Sequence, residues 1–390
     1  MAAMFTASGA ILAWSLSSRV TRRALTLLLL SLLGISVHAD CECGYAVTDD
    51  RGDSRHVFTD LIESDFAALP DISINTDWAR QAFNMTATTA RGKFGEMFTV
   101  EDVSTSTHSG TANTGVGAAN NVEDAGLQLV VRATQVDDMI PAAEIDTTRL
   151  DVWWGTFRAS MKLTAVSGTC AAFFWYYNDT EEIDMEFLSK DFRPSNNSYP
   201  VNLVLQSRQS VQSGYNAQMT GNFVKAYLPF DPTTDFHEYR FDLLPGRVLF
   251  YADDKLLAQM NGSAVPTDAG HLVLQHWSNG NPLWSGGPPV KDAVMNVKYV
   301  KAYFNSSRVG RIGDWARRCK DPSALGAVCS IPSISASDSN ATNWFFSGQA
   351  NMTNNQTVSG QQNTGSSPGE PWCLLHALLL LVGGWAAGVW

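Results

Sequence analysis

The chain has 390 residues and a formal net charge of −11, from 27 basic and 38 acidic side chains. That balance argues against nucleic-acid binding, because neutralising phosphates takes clustered Lys and Arg, and no basic stripe is present. Twelve Trp and 19 Phe in a chain only 17% charged suit an all-β domain or a carbohydrate-binding surface, and the length sets one large domain or two small ones.

At the N-terminus, Arg19, Arg22 and Arg23 precede an apolar run from Ala24 to Val37, and Val37-His38-Ala39 offers a small-residue cleavage site. This is the pattern of a secretory signal peptide over residues 1–39. The competing reading is a membrane anchor, but the run is short for roughly 30 Å of hydrocarbon. Residues 40–55 are polar, carry Cys41 and Cys43, and read as an N-terminal tether.

From 56 to 307 the chain consists of short alternating or apolar runs broken by Gly, Asn, Asp and Pro. Leu127–Ala133, Gly155–Leu163, Ala171–Tyr177, Ile183–Leu188, Val201–Gln206, Tyr239–Leu243, Arg247–Tyr251 and Met295–Phe304 are the expected strands. Evenly spaced short strands predict a β-sandwich or barrel. Asp60–Ala68 is the one short helical candidate. Residues 308–329 form a Cys-containing extension, in which Cys319 and Cys329 are the easiest local bridge. Cys41 and Cys43 stand too close together to bond each other easily. From 330 to 369 the composition turns to Ser, Asn, Thr, Gln and Gly, which predicts a disordered stalk. The last segment, 370–390, holds an apolar run with no basic residue after it. Small residues, a polar spacer and a hydrophobic tail are the pattern of a GPI-anchor signal, with Asn363 or Gly365 as attachment candidates and a tail anchor as the alternative. Cys373 leaves with such a tail, and five cysteines then leave one without an intramolecular partner. Asn-x-Ser/Thr sequons at Asn84, Asn178, Asn196, Asn261, Asn305, Asn340, Asn351 and Asn355 fit a glycoprotein of the secretory route.

The chemistry concentrates in Glu182-Ile183-Asp184-Met185-Glu186. On a strand, residues i, i+2 and i+4 share one face, so the three acids line up and Ile183, Met185 and Phe187 pack on the other side. Three ionised carboxyls in a row repel, which raises at least one pKa. Glycoside cleavage needs that division of labour, one protonated acid and one ionised carboxylate. On a straight strand the Cα atoms of Glu182 and Glu186 stand roughly 13 Å apart, so the two side chains must lean together over Asp184. A solvated strand face and a calcium site are the blander readings of the triplet.

Around it, Ala171–Tyr177 and Asn178-Asp179-Thr180 read as the first strand and turn of a hairpin. Alternation puts Phe173, Trp175 and Tyr177 on one face; Trp175 and Tyr177 are candidates for stacking on sugar rings, with core packing as the alternative for Trp175. Glu181 reads as solvated. Glu144-Ile145-Asp146 is a partial copy of the motif without its third acid, and reads as unremarkable. His276, Trp277 and Trp284 fall in a Gly- and Pro-rich stretch, read as a substrate-contacting loop or one folded onto the sandwich. No metal-ligand spacing, phosphate loop or nucleophile elbow is present. The sequence therefore implies no cofactor and no metal, and does not indicate a structural calcium ion.

The acid triplet resembles the Glu-x-Asp-x-Glu signature of glycoside hydrolase family 16, in the concanavalin A-like lectin/glucanase superfamily. Trp154–Ala159, His237-Glu238-Tyr239, Phe250–Asp253 and Val297–Phe304 extend the resemblance over about residues 125–305. It implies a concanavalin A-like jelly-roll β-sandwich over 56–307 that cleaves β-glucans or galactans with retention. By position, Glu182 is then the nucleophile, Glu186 the general acid/base, and Asp184 the group that holds their pKa values apart. Signal, stalk and tail resemble secreted, GPI-anchored fungal wall members, some of which transfer sugar chains. The motif lacks the extra residue of many laminarinase-like members, which favours mixed-linkage or transferase relatives. Asp253-Asp254 stands where the family often has Asp-Gly. The expectation is a cell-surface, lipid-anchored monomer acting on a polysaccharide, β-1,3 or mixed β-1,3/1,4 glucan. The alternative is a non-catalytic, lectin-like surface protein on the same sandwich.

Overall fold

The computed structural model describes residues 40–48, 54–107, 124–333 and 343–349. Three sheets account for most of them. A small sheet is made of β1 (Gly44–Thr48), β2 (Arg55–Phe58) and β20 (Val328–Ser330), with β1 in the middle.

The eight-stranded sheet holds β3 (Asp60–Asp65), β7 (Val103–Ser106), β8 (Gly126–Val131), β10 (Val152–Lys162), β15 (His237–Leu244), β16 (Arg247–Ala252), β17 (Lys255–Asn261) and β19 (Ala293–Ser306). Its order is β17-β16-β15-β10-β19-β8-β7, with β3 also paired to β19.

The nine-stranded sheet holds β4 (Trp78–Arg80), β5 (Phe83–Met85), β6 (Gly95–Phe98), β9 (Met139–Thr147), β11 (Cys170–Asn178), β12 (Glu181–Leu188), β13 (Pro200–Ser207), β14 (Phe223–Tyr227) and β18 (His271–Trp277). Its order is β14-β13-β12-β11-β18-β9-β6-β5, with β4 paired to β9. Two short helices, α1 (Arg208–Gln212) and α2 (Val309–Arg318), complete the described elements named here.

The fold is an all-β jelly-roll sandwich, two large sheets closed on one shared core. Alternation builds it: every second residue of each large sheet points into one shared apolar layer. Phe157, Ala159 and Met161 on β10, and Phe241 and Leu243 on β15, meet Phe173 and Trp175 on β11 and Ile183, Met185 and Phe187 on β12. All eight runs expected as strands are strands, within a few residues at their ends.

The outer face of the eight-stranded sheet carries a second apolar cluster. Leu249 and Tyr251 of β16 and Tyr303 of β19 point away from the main core and pack with Tyr45, Phe58 and Phe346. The stretch expected as a tether is therefore partly folded: Tyr45 is fully buried and β1 pairs with both β2 and β20. The bridges run Cys41–Cys329 and Cys43–Cys319, which replaces the expected Cys319–Cys329 pair. Two cysteines separated by a single residue can each reach a different partner because they sit at the head of β1, beside Cys329 of β20 and Cys319 at the end of α2. The odd cysteine is Cys170.

Asp60–Ala68 is not helical. Its first six residues form β3, an antiparallel neighbour of β19, whose pairing overrides a weak local pattern. The start of the expected stalk is also packed: Ile331 and Phe346 are buried, and Glu63 accepts from the backbone N–H groups of Phe346 and Ser347. The expected signal peptide over 1–39, most of the expected stalk and the expected anchor segment lie outside the described residues, as do Asn340, Asn351 and Asn355. Asn84, Asn196 and Asn261 are exposed, while Asn178 and Asn305 are half-buried.

Candidate active site

The acid triplet lies on β12 as alternation requires. Ile183, Met185 and Phe187 enter the core, and Glu182, Asp184 and Glu186 point to the other face of the nine-stranded sheet. On that face Asp184 is only 4% exposed, and Glu182 and Glu186 on either side of it are half-buried. Asp184 and Glu182 hydrogen-bond through their side chains, and the Glu186 charge acts on both. Burial, reinforced by the neighbouring acids, pushes Glu182 up to about 7 and Asp184 well above the carboxylate range. Burial raises Glu186 as well, against hydrogen bonds from Trp284 and Cys170 that favour its charged form. At neutral pH the row thus holds protons as well as charges, the state that acid/base work needs.

Trp284 reaches the row from the loop between β18 and β19, its Nε1–H donating to Glu186 Oε1 at 3.0 Å. Arg91, from the loop between β5 and β6, stacks on the ring of Tyr215 at 4.1 Å, and its charge acts on Glu182 and Glu186. That loop lies close over the loop after β18. A Cβ on Gly92 would come within 2.3 Å of the Asn279 carbonyl, so only glycine fits there. Tyr215 and Tyr176 each donate to Asp179, at 2.7 Å in both cases, and close the hairpin end of the row.

Several expected contact residues lie elsewhere. Trp175 is fully buried between the sheets, its Nε1–H donating to Val152 O at 3.0 Å. The residues of β11 that share the acids' face are Ala172, Phe174 and Tyr176, opposite Glu186, Asp184 and Glu182. A tight turn at Asp179-Thr180 would have set Tyr177 against Glu182. The pairing instead slips by one residue between Tyr176 and Asn178, and a one-residue slip inverts which side chains face which way. Tyr177 ends 46% exposed, beyond that irregularity.

His276 is not in a loop. It lies on β18, fully buried, with Nδ1 bonded to Leu129 O and Nε2 to Thr169 Oγ1, both at 2.9 Å. Burial lowers its pKa to about 4. Trp277, the last residue of β18, pairs with Cys170 and is half-buried on the acids' side.

Glu144-Ile145-Asp146 is more than a partial copy of the motif. β9 lies three strands from β12 in the same sheet, and pairing through β18 puts Glu144 and Asp146 on the acids' face. Burial lifts Glu144 to about 7 and Asp146 well above its ordinary value. Glu96 on β6 lies beside Glu144, is pushed up to about 8 by burial, and is held by Asn279. Glu181 is half-buried and accepts from the N–H groups of Thr267 and Asp268 at 3.0 and 3.1 Å. No group of three or more His, Cys, Asp or Glu among the described residues is arranged to hold a metal ion.

Residues 116–301 match the family model described as glycosyl hydrolases family 16. That stretch includes the acid triplet of β12. Over 158 residues it is 29% identical to a beta-glucanase of Paenibacillus polymyxa, covering 38% of this chain and 59% of that protein. A probable xyloglucan endotransglucosylase/hydrolase protein of Arabidopsis thaliana is 27% identical over 171 residues, 41% of this chain and 46% of the relative. The chain thus spans about half the length of these curated relatives. Among solved structures, Bacillus licheniformis beta-glucanase aligns at a TM-score of 0.46 and 15% identity, over 63% of this chain and 98% of that one.

Proposed function

We propose that this chain is a retaining, endo-acting glycosidase of cell-wall β-glucan, β-1,3 or mixed β-1,3/1,4, that also transfers glycosyl units. One observation carries the reading: a partly buried row of three carboxyls on one strand, two of them hydrogen-bonded together and all three pushed upward. Glu182 attacks the anomeric carbon while Glu186 gives a proton to the departing glycosidic oxygen. Glu182 is then covalently bound, and Glu186, now ionised, takes a proton from the incoming hydroxyl. If that hydroxyl belongs to water the outcome is hydrolysis; if it belongs to a sugar, transfer. Asp184 donates to Glu182 and so sets its charge. The family match supports this reading, as do relatives named beta-glucanase and xyloglucan endotransglucosylase/hydrolase.

Mass analysis of products from β-1,3-, mixed-linkage and β-1,6-glucan oligomers tests it, and products longer than the substrate would reveal transfer. Glu182→Gln and Glu186→Gln should each abolish turnover with the thermal midpoint nearly unchanged. Full activity in either variant ends the assignment, and binding without product would favour the lectin-like alternative.

We also place the protein at the cell surface, as a fungal-type secreted monomer held by a lipid anchor. Two disulfides, which persist in oxidising compartments, the sequons and the apolar C-terminal run support this. Release from cells by a phosphatidylinositol-specific phospholipase tests it.

A further inference from the structure

Two donors converge on one oxygen of Glu186. The Trp284 indole N–H reaches Oε1 at 3.0 Å, and the Cys170 thiol reaches the same oxygen at 3.5 Å. Cys170 is fully buried and unbridged, under the end of the acid row and paired across strands with Leu188 and Trp277. A thiol has one hydrogen; its other acceptor in reach, the Ala171 carbonyl, is farther at 3.8 Å. Burial and the adjacent carboxylates raise its pKa, so the sulfur keeps that hydrogen.

We propose that Trp284 and Cys170 are positioning residues that keep Glu186 Oε1 as the accepting oxygen, so that the acid proton is carried and delivered by Oε2. The inference rests on Glu186 being the acid/base. An oxygen with two donors aimed at it has no free lone pair for a proton of its own, which leaves Oε2 as the O–H. When that proton passes to the leaving oxygen, the O–H bond of Glu186 breaks and its electron pair stays on the carboxylate. The new charge is then stabilised by donors already in place, without reorganisation. Glu186 becomes the base of the second step with the same oxygen presented. Trp284, expected from the sequence to contact substrate or to fold onto the sandwich, has its indole N–H committed to this carboxyl.

The test is the pH dependence of kcat/KM for Trp284→Phe, Cys170→Ala and Cys170→Ser, on whichever β-glucan the wild type cleaves and on an aryl glycoside of the same oligosaccharide with a good leaving group. Both donors favour ionised Glu186. Removing one raises its pKa, and the alkaline limb should move up by about one pH unit for Trp284→Phe and by less for Cys170→Ala. Cys170→Ser keeps a donor and should restore the wild-type limb. On the polymer kcat should fall about tenfold or more, while the aryl glycoside, which needs little proton donation, should be affected far less. A Trp284→Phe enzyme with an unmoved alkaline limb and a loss confined to KM would overturn the inference and leave Trp284 as a sugar platform. Glu186→Gln run alongside separates the two claims. If that variant is active, the acid/base reading has failed; if it is dead and the limb is unmoved, only the positioning claim has.

Discussion

Glu96→Gln should make the protein markedly more stable in alkali and leave it unchanged in acid. Glu96 is 3% exposed on β6, and burial pushes its carboxyl from 4.5 up to about 8. Below pH 4.5 it is protonated in both the folded and the unfolded chain and contributes no pH dependence. Between 4.5 and 8 the unfolded chain releases the proton and the folded one keeps it, so stability falls as pH rises, then levels off above 8. A difference of 3.5 pH units corresponds to about 5 kcal/mol lost at pH 9. Gln is neutral in both states and nearly isosteric, so the variant escapes that loss. Its thermal midpoint should exceed the wild type's by on the order of 10 °C at pH 9 and match it at pH 4.5. Calorimetry or circular-dichroism melts at pH 4.5, 7 and 9 read the difference directly. A gap between the two proteins that stays constant with pH would show that Glu96 is ionised in the fold, and the burial argument would be wrong.

His276 works in the opposite direction. Its folded pKa near 4 lies below the ordinary 6.5, so wild-type stability should fall as pH drops from about 6.5 to 4, and His276→Gln should flatten that acid slope in the same melts while losing about 1–3 kcal/mol at neutral pH from the disturbed bonds to Leu129 and Thr169. The disulfides close loops with sequence separations of 288 and 276. Replacing Cys41 and Cys329 together by Ser should lower stability by about 2–5 kcal/mol while leaving glucan cleavage intact at low temperature, because the bridge lies on the far side of the sandwich from the acids. An activity loss without a lower melting midpoint would contradict that placement.

Period-two patterning was enough to find the strands, because two apolar faces pressed together leave little choice about what points inward. It found Glu182, Asp184 and Glu186 for the same reason: Ile183, Met185 and Phe187 could only go to the core. It failed on Tyr177 and left Trp175 open between sugar stacking and the core, because which residues of β11 face the acids depends on a one-residue slip near the hairpin end. No composition reports such a slip, although aromatics at both parities of β11 were a warning that the face was undecided. His276 was misread because Gly and Pro follow it closely, whereas β18 runs through to Trp277 before they take effect. Glu144 and Asp146 were set aside since a pair of acids is common; only the strand order β12-β11-β18-β9 brings them onto the same face. The bridges were beyond reach, because a pairing across more than 270 residues depends on the topology and not on local spacing.

The second apolar cluster has a consequence for how the molecule meets its surroundings. Residues 41–48 and 343–349 both pack behind the eight-stranded sheet, on the side opposite the carboxyl row. Chain entering or leaving at either segment therefore does so from the rear. Under the proposed function, a body moored by either end turns its carboxyl row outward, toward the polysaccharide and away from the mooring.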